Sequence, residues 1–225
     1  MLARVARTLL GHDRVARVIV LSQHPQELAA DPGLGGVAEH PRLHFQVSGN
    51  SISGSVADVI RRESGYPFLI TTADNVLLDE AMLDEFIAEA SASPADLAFA
   101  LVSRETMQAA YPEARRTWLK FKGGAYSGAN LFWIASPRAA PALALWRRIE
   151  QKRKRALAIS AAFGPVLLVQ MVLRRLTLDG ALKRVGKRLG LTVRAVQMSS
   201  AEACIDVDKP EDLALAEAAL RRRGG

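Results

Sequence analysis

The sequence predicts an α/β protein of three layers: a mostly parallel, doubly wound sheet with helices on both faces, carrying a basic helical lobe. Three observations point there. Short apolar runs such as Val18-Ile19-Val20-Leu21 suit strands that are buried on both faces. Between them lie stretches with apolar residues at helical spacing, and strands alternating with helices argue for a parallel sheet. The chain has 225 residues, 49% of them hydrophobic, enough for one domain burying roughly 70% of its unfolded surface.

Taken in order, Leu2, Val5, Ala6, Leu9 and Leu10 place one face on a helix that ends at Gly11. Arg17 to Ser22 reads as a strand, Gln23 to Pro41 as a Gly/Pro-rich loop and Leu43 to Val47 as a short strand. A small-residue loop, Ser48 to Ser55, feeds a helix over Val56 to Glu63. The strand Pro67 to Thr72 follows, then a helix from Asp79 to Ala92 and a strand from Asp96 to Ser103. Thr117 to Lys122 and Tyr126 to Ile134 form a hairpin around Gly123-Gly124. Helices are predicted over 137–154 and 176–189, a strand over Leu191 to Met198, and a closing helix over Pro210 to Arg222 with proline in its first turn. The whole of 1–225 reads as one domain, with 137–190 as the helical lobe inside it.

Charge is unevenly spread over a chain whose net charge is +7. Arg147 to Arg194 holds 13 Lys and Arg against two acids, Glu150 and Asp179. Such a segment suits polyanions or a solvated helical face. No aromatic residue interleaves Lys152-Arg153-Lys154-Arg155, as single-strand stacking would need, so nucleic acid is not an expected partner. The lone cysteine, Cys204, excludes a disulfide framework and suits a reducing, cytoplasmic setting, where it reads as a small buried side chain. No Cys/His spacing fits zinc, and the N-terminus does not read as a secretory signal.

Two carboxylates then stand out, 134 residues apart. Phe68-Leu69-Ile70-Thr71-Thr72-Ala73-Asp74 reads as a buried strand running into an acid. Ala203-Cys204-Ile205-Asp206-Val207-Asp208 reads the same way, with Asp206 and Asp208 on one face. Ligands of open α/β sheets sit at the carboxyl ends of the strands. Mg²⁺ takes only one or two carboxylates plus substrate phosphates, so Asp74 and Asp208, supported by Asp206, are candidate metal ligands. Helix capping is the plainer reading of each acid, although Asp79 is better placed than Asp74 to cap the helix that follows. The Ser48–Ser55 loop brings backbone N–H groups and hydroxyls to a helix start, suited to an anion or a base edge. Gly128 and Asn130 interrupt a buried strand, which fits either close ligand approach or a β-bulge.

Thr72-Ala73-Asp74-Asn75, Tyr126-Ser127-Gly128-Ala129-Asn130-Leu131 and Ile205-Asp206-Val207-Asp208-Lys209-Pro210-Glu211-Asp212-Leu213, in that order along nearly the whole chain, resemble the MobA-like NTP transferases. The resemblance implies a nucleotidyltransferase sheet of the GT-A/Rossmann-like kind and a Mg²⁺-dependent reaction. In it a phosphorylated acceptor attacks the α-phosphate of an NTP and releases pyrophosphate. It also implies Asp74 and Asp208 as metal ligands, Gly49, Asn50, Ser53 and Ser55 as nucleotide-binding residues, and Gly128 and Asn130 on the acceptor side. A nucleotide-sugar glycosyltransferase, or an inactive relative serving as a membrane- or partner-binding module, are the alternatives.

The sequence departs from that family at its start, which resembles the helix after the family's Gly-rich phosphate loop. The missing strand would lie between Val18–Leu21 and Phe68–Thr72, leaving two strand edges unpaired. A misplaced start is therefore expected, with a chain that is unstable and poorly active as written. Residues 156–173 carry no charge between basic flanks. They fit a buried helical hairpin or, through 152–175, a peripheral contact at the inner membrane face with a lipid-precursor acceptor; a membrane span is the weakest reading. Extending the chain upstream by the absent strand and loop is predicted to raise both the melting temperature and Mg²⁺-dependent turnover. Equal values for the two chains would refute this.

Overall fold

Apolar side chains alternating across one strand show how the layers are built. In the strand Leu97–Ser103, Ala98, Ala100 and Val102 face one core, while Phe99 and Leu101 face another on the opposite side. Both faces must therefore be covered by helices. The computed structural model describes residues 1–63, 65–92, 94–151 and 175–224. The elements are α1 (Leu2–Gly11), β1 (Val18–Ser22), α2 (Pro25–Ala29), β2 (Leu43–Val47), α3 (Ile52–Arg62), β3 (Phe68–Ile70), α4 (Glu80–Ser91), β4 (Leu97–Ser103) and α5 (Arg104–Ala110). There follow β5 (Leu119–Phe121), β6 (Gly124–Ile134), α6 (Ala140–Gln151), α7 (Leu178–Leu189), β7 (Val193–Gln197) and α8 (Pro210–Gly224).

The main sheet has the order β3-β6-β4-β7, with β5 paired to β6. β3, β4 and β7 run the same way and β6 runs against them. A second, parallel pair is formed by β1 and β2. Among the described residues the strands thus fall into two sheets. Among the described residues β1 pairs only with β2, and β3 only with β6. Helices span the division. Val56 and Ile60 of α3 pack with Leu21 of β1 and with Phe68 and Ile70 of β3. In α1, Ala6 and Leu10 serve the small-sheet core while Val5 reaches the main one.

The main core gathers Met82, Leu83, Phe86, Ile87 and Ala90 of α4 with Met107 of α5 and Ala216 and Ala219 of α8. α4 forms because Asp79 caps it, accepting from the Met82 N–H at 2.9 Å, and because its apolar residues share one face. Phe86 and Leu83 have no measurable exposure, and each such burial stabilises by about 2–3 kcal/mol. α3 and α6 cover the opposite face, with Trp146 of α6 stacked on Phe132 of β6. α7 packs Leu178 and Ala181 against Leu101 on that side. α6 and α7 are the described helices of the basic lobe. The uncharged stretch 156–173 lies outside the described residues, and among those described no helix is long and apolar enough to cross a membrane.

Three expectations change. The Ala203–Asp208 stretch is not a strand: Ala201–Cys204 is a 3₁₀ turn and 205–209 is irregular. A run that short buries equally well in a tight turn. The helix expected from Val56 begins at Ile52, because the Ser51 hydroxyl accepts from the Gly54 N–H at 3.0 Å, so the Ser/Gly run forms its first turn. The Gln23–Pro41 loop holds α2 and a 3₁₀ turn, Pro32–Val37.

α7 ends on Gly190 at φ 69°, a left-handed cap that reverses the chain into β7. The reversal brings the Leu191 carbonyl to 2.5 Å from where a Cβ on Gly186 would stand. Gly186→Ala is expected to destabilise by about 1–3 kcal/mol despite alanine's helix preference. Urea unfolding of the variant checks this; an unchanged midpoint would contradict it.

Candidate functional site

Asp74 leaves the carboxyl end of β3 in a loop without regular structure, so every backbone group there needs its own partner. The chain supplies them from both termini. The Val76 carbonyl accepts from the Arg4 guanidinium at 2.8 Å and the Leu78 carbonyl from the Thr8 hydroxyl at 3.2 Å, both from α1. The Leu77 carbonyl accepts from Arg223 of α8 at 3.0 Å. Asn75, 1% exposed, donates to the Ala129 carbonyl at 3.3 Å and so pins the loop to β6. Its Oδ1 has no hydrogen-bond partner among the described residues.

The decisive contact is between main chains. The Val207 N–H donates to the Asp74 carbonyl at 3.1 Å, which joins the Asp74 loop to the Asp206–Asp208 segment. Asp74 is half-buried, and its carboxylate accepts from the Thr72 hydroxyl. Asp208 is exposed, and its carboxylate has no hydrogen bond or ion pair among the described residues. Helix capping is done instead by Asp212, whose Oδ2 accepts from the Lys209 N–H at 3.1 Å and the Asp208 N–H at 3.3 Å. Asp74 is likewise relieved of capping by Asp79.

Asp206 is differently placed. One of its oxygens accepts from Arg116, and the other accepts from the Asn130 amide at 3.2 Å. Asn130 reaches it from a break in β6, where Phe99 faces Phe132 but Leu101 faces Gly128, and where Asn130 takes φ 48°. Asparagine tolerates that conformation better than most residues. A bulge, one of the two readings the sequence left open, is present, and it aims this side chain. Gly128 is exposed, with open space where a side chain would project.

Arg116 also donates to the Cys204 carbonyl and lies 3.8 Å from Asp212. Burial works against its charge, but the hydrogen bond and charge of Asp206 prevail and hold it above the ordinary arginine value. Burial pushes the Cys204 thiol up as well, in keeping with an inert core side chain. Tyr111 donates to Glu202, just before the segment, and receives Arg222 over its ring at 5.1 Å. Burial, then Glu202, raises its hydroxyl to about 12.

The Ser48–Ser55 loop holds an anion, and it is the protein's own. The Glu150 carboxylate, from the last turn of α6, accepts from the Ile52 N–H at 2.8 Å and the Ser53 N–H at 3.1 Å, and from the Ser53 hydroxyl. Ser55 accepts from the Gly49 N–H at 2.8 Å and donates to the Ser51 carbonyl at 2.8 Å. Ser53 and Ser55 are thus buried and occupied, whereas Gly49 and Asn50 stay exposed. A cavity of about 520 Å³ beside Ser53 runs between α3 and α6, apart from the acids.

Sequence reasoning missed Arg116 and the role of Glu150. Arg116 sits in an aperiodic loop and carries no local signal. Glu150 did carry one, as one of two acids in a strongly basic stretch.

No protein-family model and no curated protein matches the chain. Solved structures do. One from Thermus thermophilus, described as a hypothetical transferase, is 25% identical, with a TM-score of 0.77 over 95% of this chain and 85% of its own. A 4-diphosphocytidyl-2C-methyl-D-erythritol synthase from Anaerococcus prevotii is 8% identical, with a TM-score of 0.58 over 98% of this chain and 88% of its own. At that identity the likeness is one of fold. The structural neighbours are transferases.

The hydrogen bond from Ser53, ahead of those from the Ile52 and Ser53 amides, lowers the Glu150 carboxyl below its usual value. A carboxyl depressed in the folded state adds stability above its unfolded value, lost as pH falls through the folded one. Glu150→Gln is therefore expected to lower the urea midpoint near pH 7, with the gap narrowing as the pH falls below the ordinary glutamate value. A gap independent of pH would contradict this.

Proposed function

We propose that the protein is a nucleotidyltransferase that moves an NMP from an NTP to a phosphorylated acceptor. The observation that carries the proposal is the Val207–Asp74 main-chain bond, which sets two acid-bearing segments side by side at the end of β3. The residues fit Mg²⁺. Both acids offer hard oxygen donors, neither is spent on a helix cap, and one or two carboxylates with substrate phosphates are what the ion needs. Asp74 and Asp208 would hold it. Bound there, Mg²⁺ would offset charge building on the α-phosphoryl oxygens and the departing pyrophosphate.

The reaction needs no protein nucleophile. An acceptor phosphate oxygen forms a bond to the α-phosphorus as the α–β P–O bond breaks, and pyrophosphate leaves. The chain contributes placement. Exposed Gly49 and Asn50 are left to meet the base, since Ser53 and Ser55 are engaged elsewhere. The space above Gly128, beside Asn130, receives the acceptor.

Asp74→Asn and Asp208→Asn are each expected to cut pyrophosphate release from an NTP by about 100-fold or more, with melting temperatures nearly unchanged. A coupled pyrophosphate assay with each of the four NTPs in Mg²⁺ makes the measurement. Losses below about threefold, or a wild-type chain that transfers only from a nucleotide sugar, would overturn the reading.

A further inference from the structure

Three acids lie on the two adjoining segments, Asp74, Asp206 and Asp208, yet they do not play one part. Among the described residues no group of three or more His, Cys, Asp or Glu side chains gathers as a metal cluster. Asp206 is the one withheld. Its charge is matched by Arg116, and its second oxygen is engaged by Asn130.

Arg116 is suited to that task. Its side chain is only 13% exposed, and its Nη2 serves Asp206 and the Cys204 carbonyl together. It therefore fixes where Asp206 points relative to the turn that carries it. A guanidinium cannot lose its proton at working pH, so the match does not lapse. Its Nε is buried without a hydrogen-bond partner among the described residues. An arginine held at that cost is not a solvated surface charge.

We infer that Arg116 is a positioning residue that limits the protein's contribution to the cation to two carboxylates, by holding Asp206 out of the coordination shell. The inference rests on the proposed transferase reading and deepens it. A third carboxylate would bind the free ion more tightly while taking a position that the triphosphate must fill. Arg116 thus favours exchange of ligands at the ion over affinity for the ion.

Mn²⁺ binding, followed by electron paramagnetic resonance and calorimetry, tests this apart from turnover. Arg116→Met, which keeps the bulk and removes the charge, is expected to tighten Mn²⁺ binding about five- to tenfold while kcat falls. Arg116→Met combined with Asp206→Asn is expected to return the affinity to wild type. A merely structural salt bridge predicts no gain in affinity, so unchanged or weaker binding by a folded Arg116→Met overturns the inference. Should that variant not fold, Asp206→Asn alone decides. Unchanged Mn²⁺ affinity supports the withheld role, and a loss of tenfold or more refutes it. Asp74→Asn is the separate control. If it leaves Mn²⁺ binding intact, the transferase reading falls, and this inference falls with it.

Discussion

One main-chain hydrogen bond, from the Val207 N–H to the Asp74 carbonyl, joins the two acid-bearing segments. Neither partner belongs to a helix or strand, so nothing in regular structure enforces their meeting. The constraint comes from burial. Val76, Leu77 and Leu78 are at most 5% exposed, and a buried carbonyl left unmet costs roughly 1–3 kcal/mol. Three successive carbonyls are therefore met by Arg4, Thr8 and Arg223, drawn from the first and last helices. The ends of the chain close on the loop that carries Asp74.

The electrostatics separate by burial rather than by count. Arg61–Asp58 and Arg221–Glu217 join exposed groups, and such pairs contribute about 0–1 kcal/mol. Arg116–Asp206 is largely enclosed, so removing either partner leaves a charge that cannot recover its hydration. Glu150 lies between the two kinds: it is half-buried, and two amides and a hydroxyl at the start of α3 hold it. A basic chain thus keeps its few enclosed acids fully partnered, while Asp208 stands open to solvent.

The division of the sheet has a consequence for rigidity. β1 and β3 share no ladder, so the small sheet is joined to the main one through side chains of α1 and α3. Glu150 locks the start of α3 to α6, which in turn packs on β6. The loop carrying Gly49 and Asn50 is therefore indexed to the main sheet by an ion held at a helix end.

Most elements and the two acid-bearing segments were legible in the sequence, because strand-length apolar runs, helical spacing and the acid at Asp79 are local signals; the short helices α2 and α5 were not. Residues 203–208 read as a strand and are not one, since a run of that length satisfies burial in more than one conformation. By itself the sequence determined an α/β chain with covered strands and a carboxylate, Asp74, just past the end of one of them. The tertiary structure alone decided that Asp206 answers to Arg116, that Glu150 fills the start of α3, and that the Asp208 carboxylate has no partner among the described residues. Those pairings join residues 90 to 98 positions apart or hinge on a cap supplied elsewhere, and such distances leave no trace in local pattern.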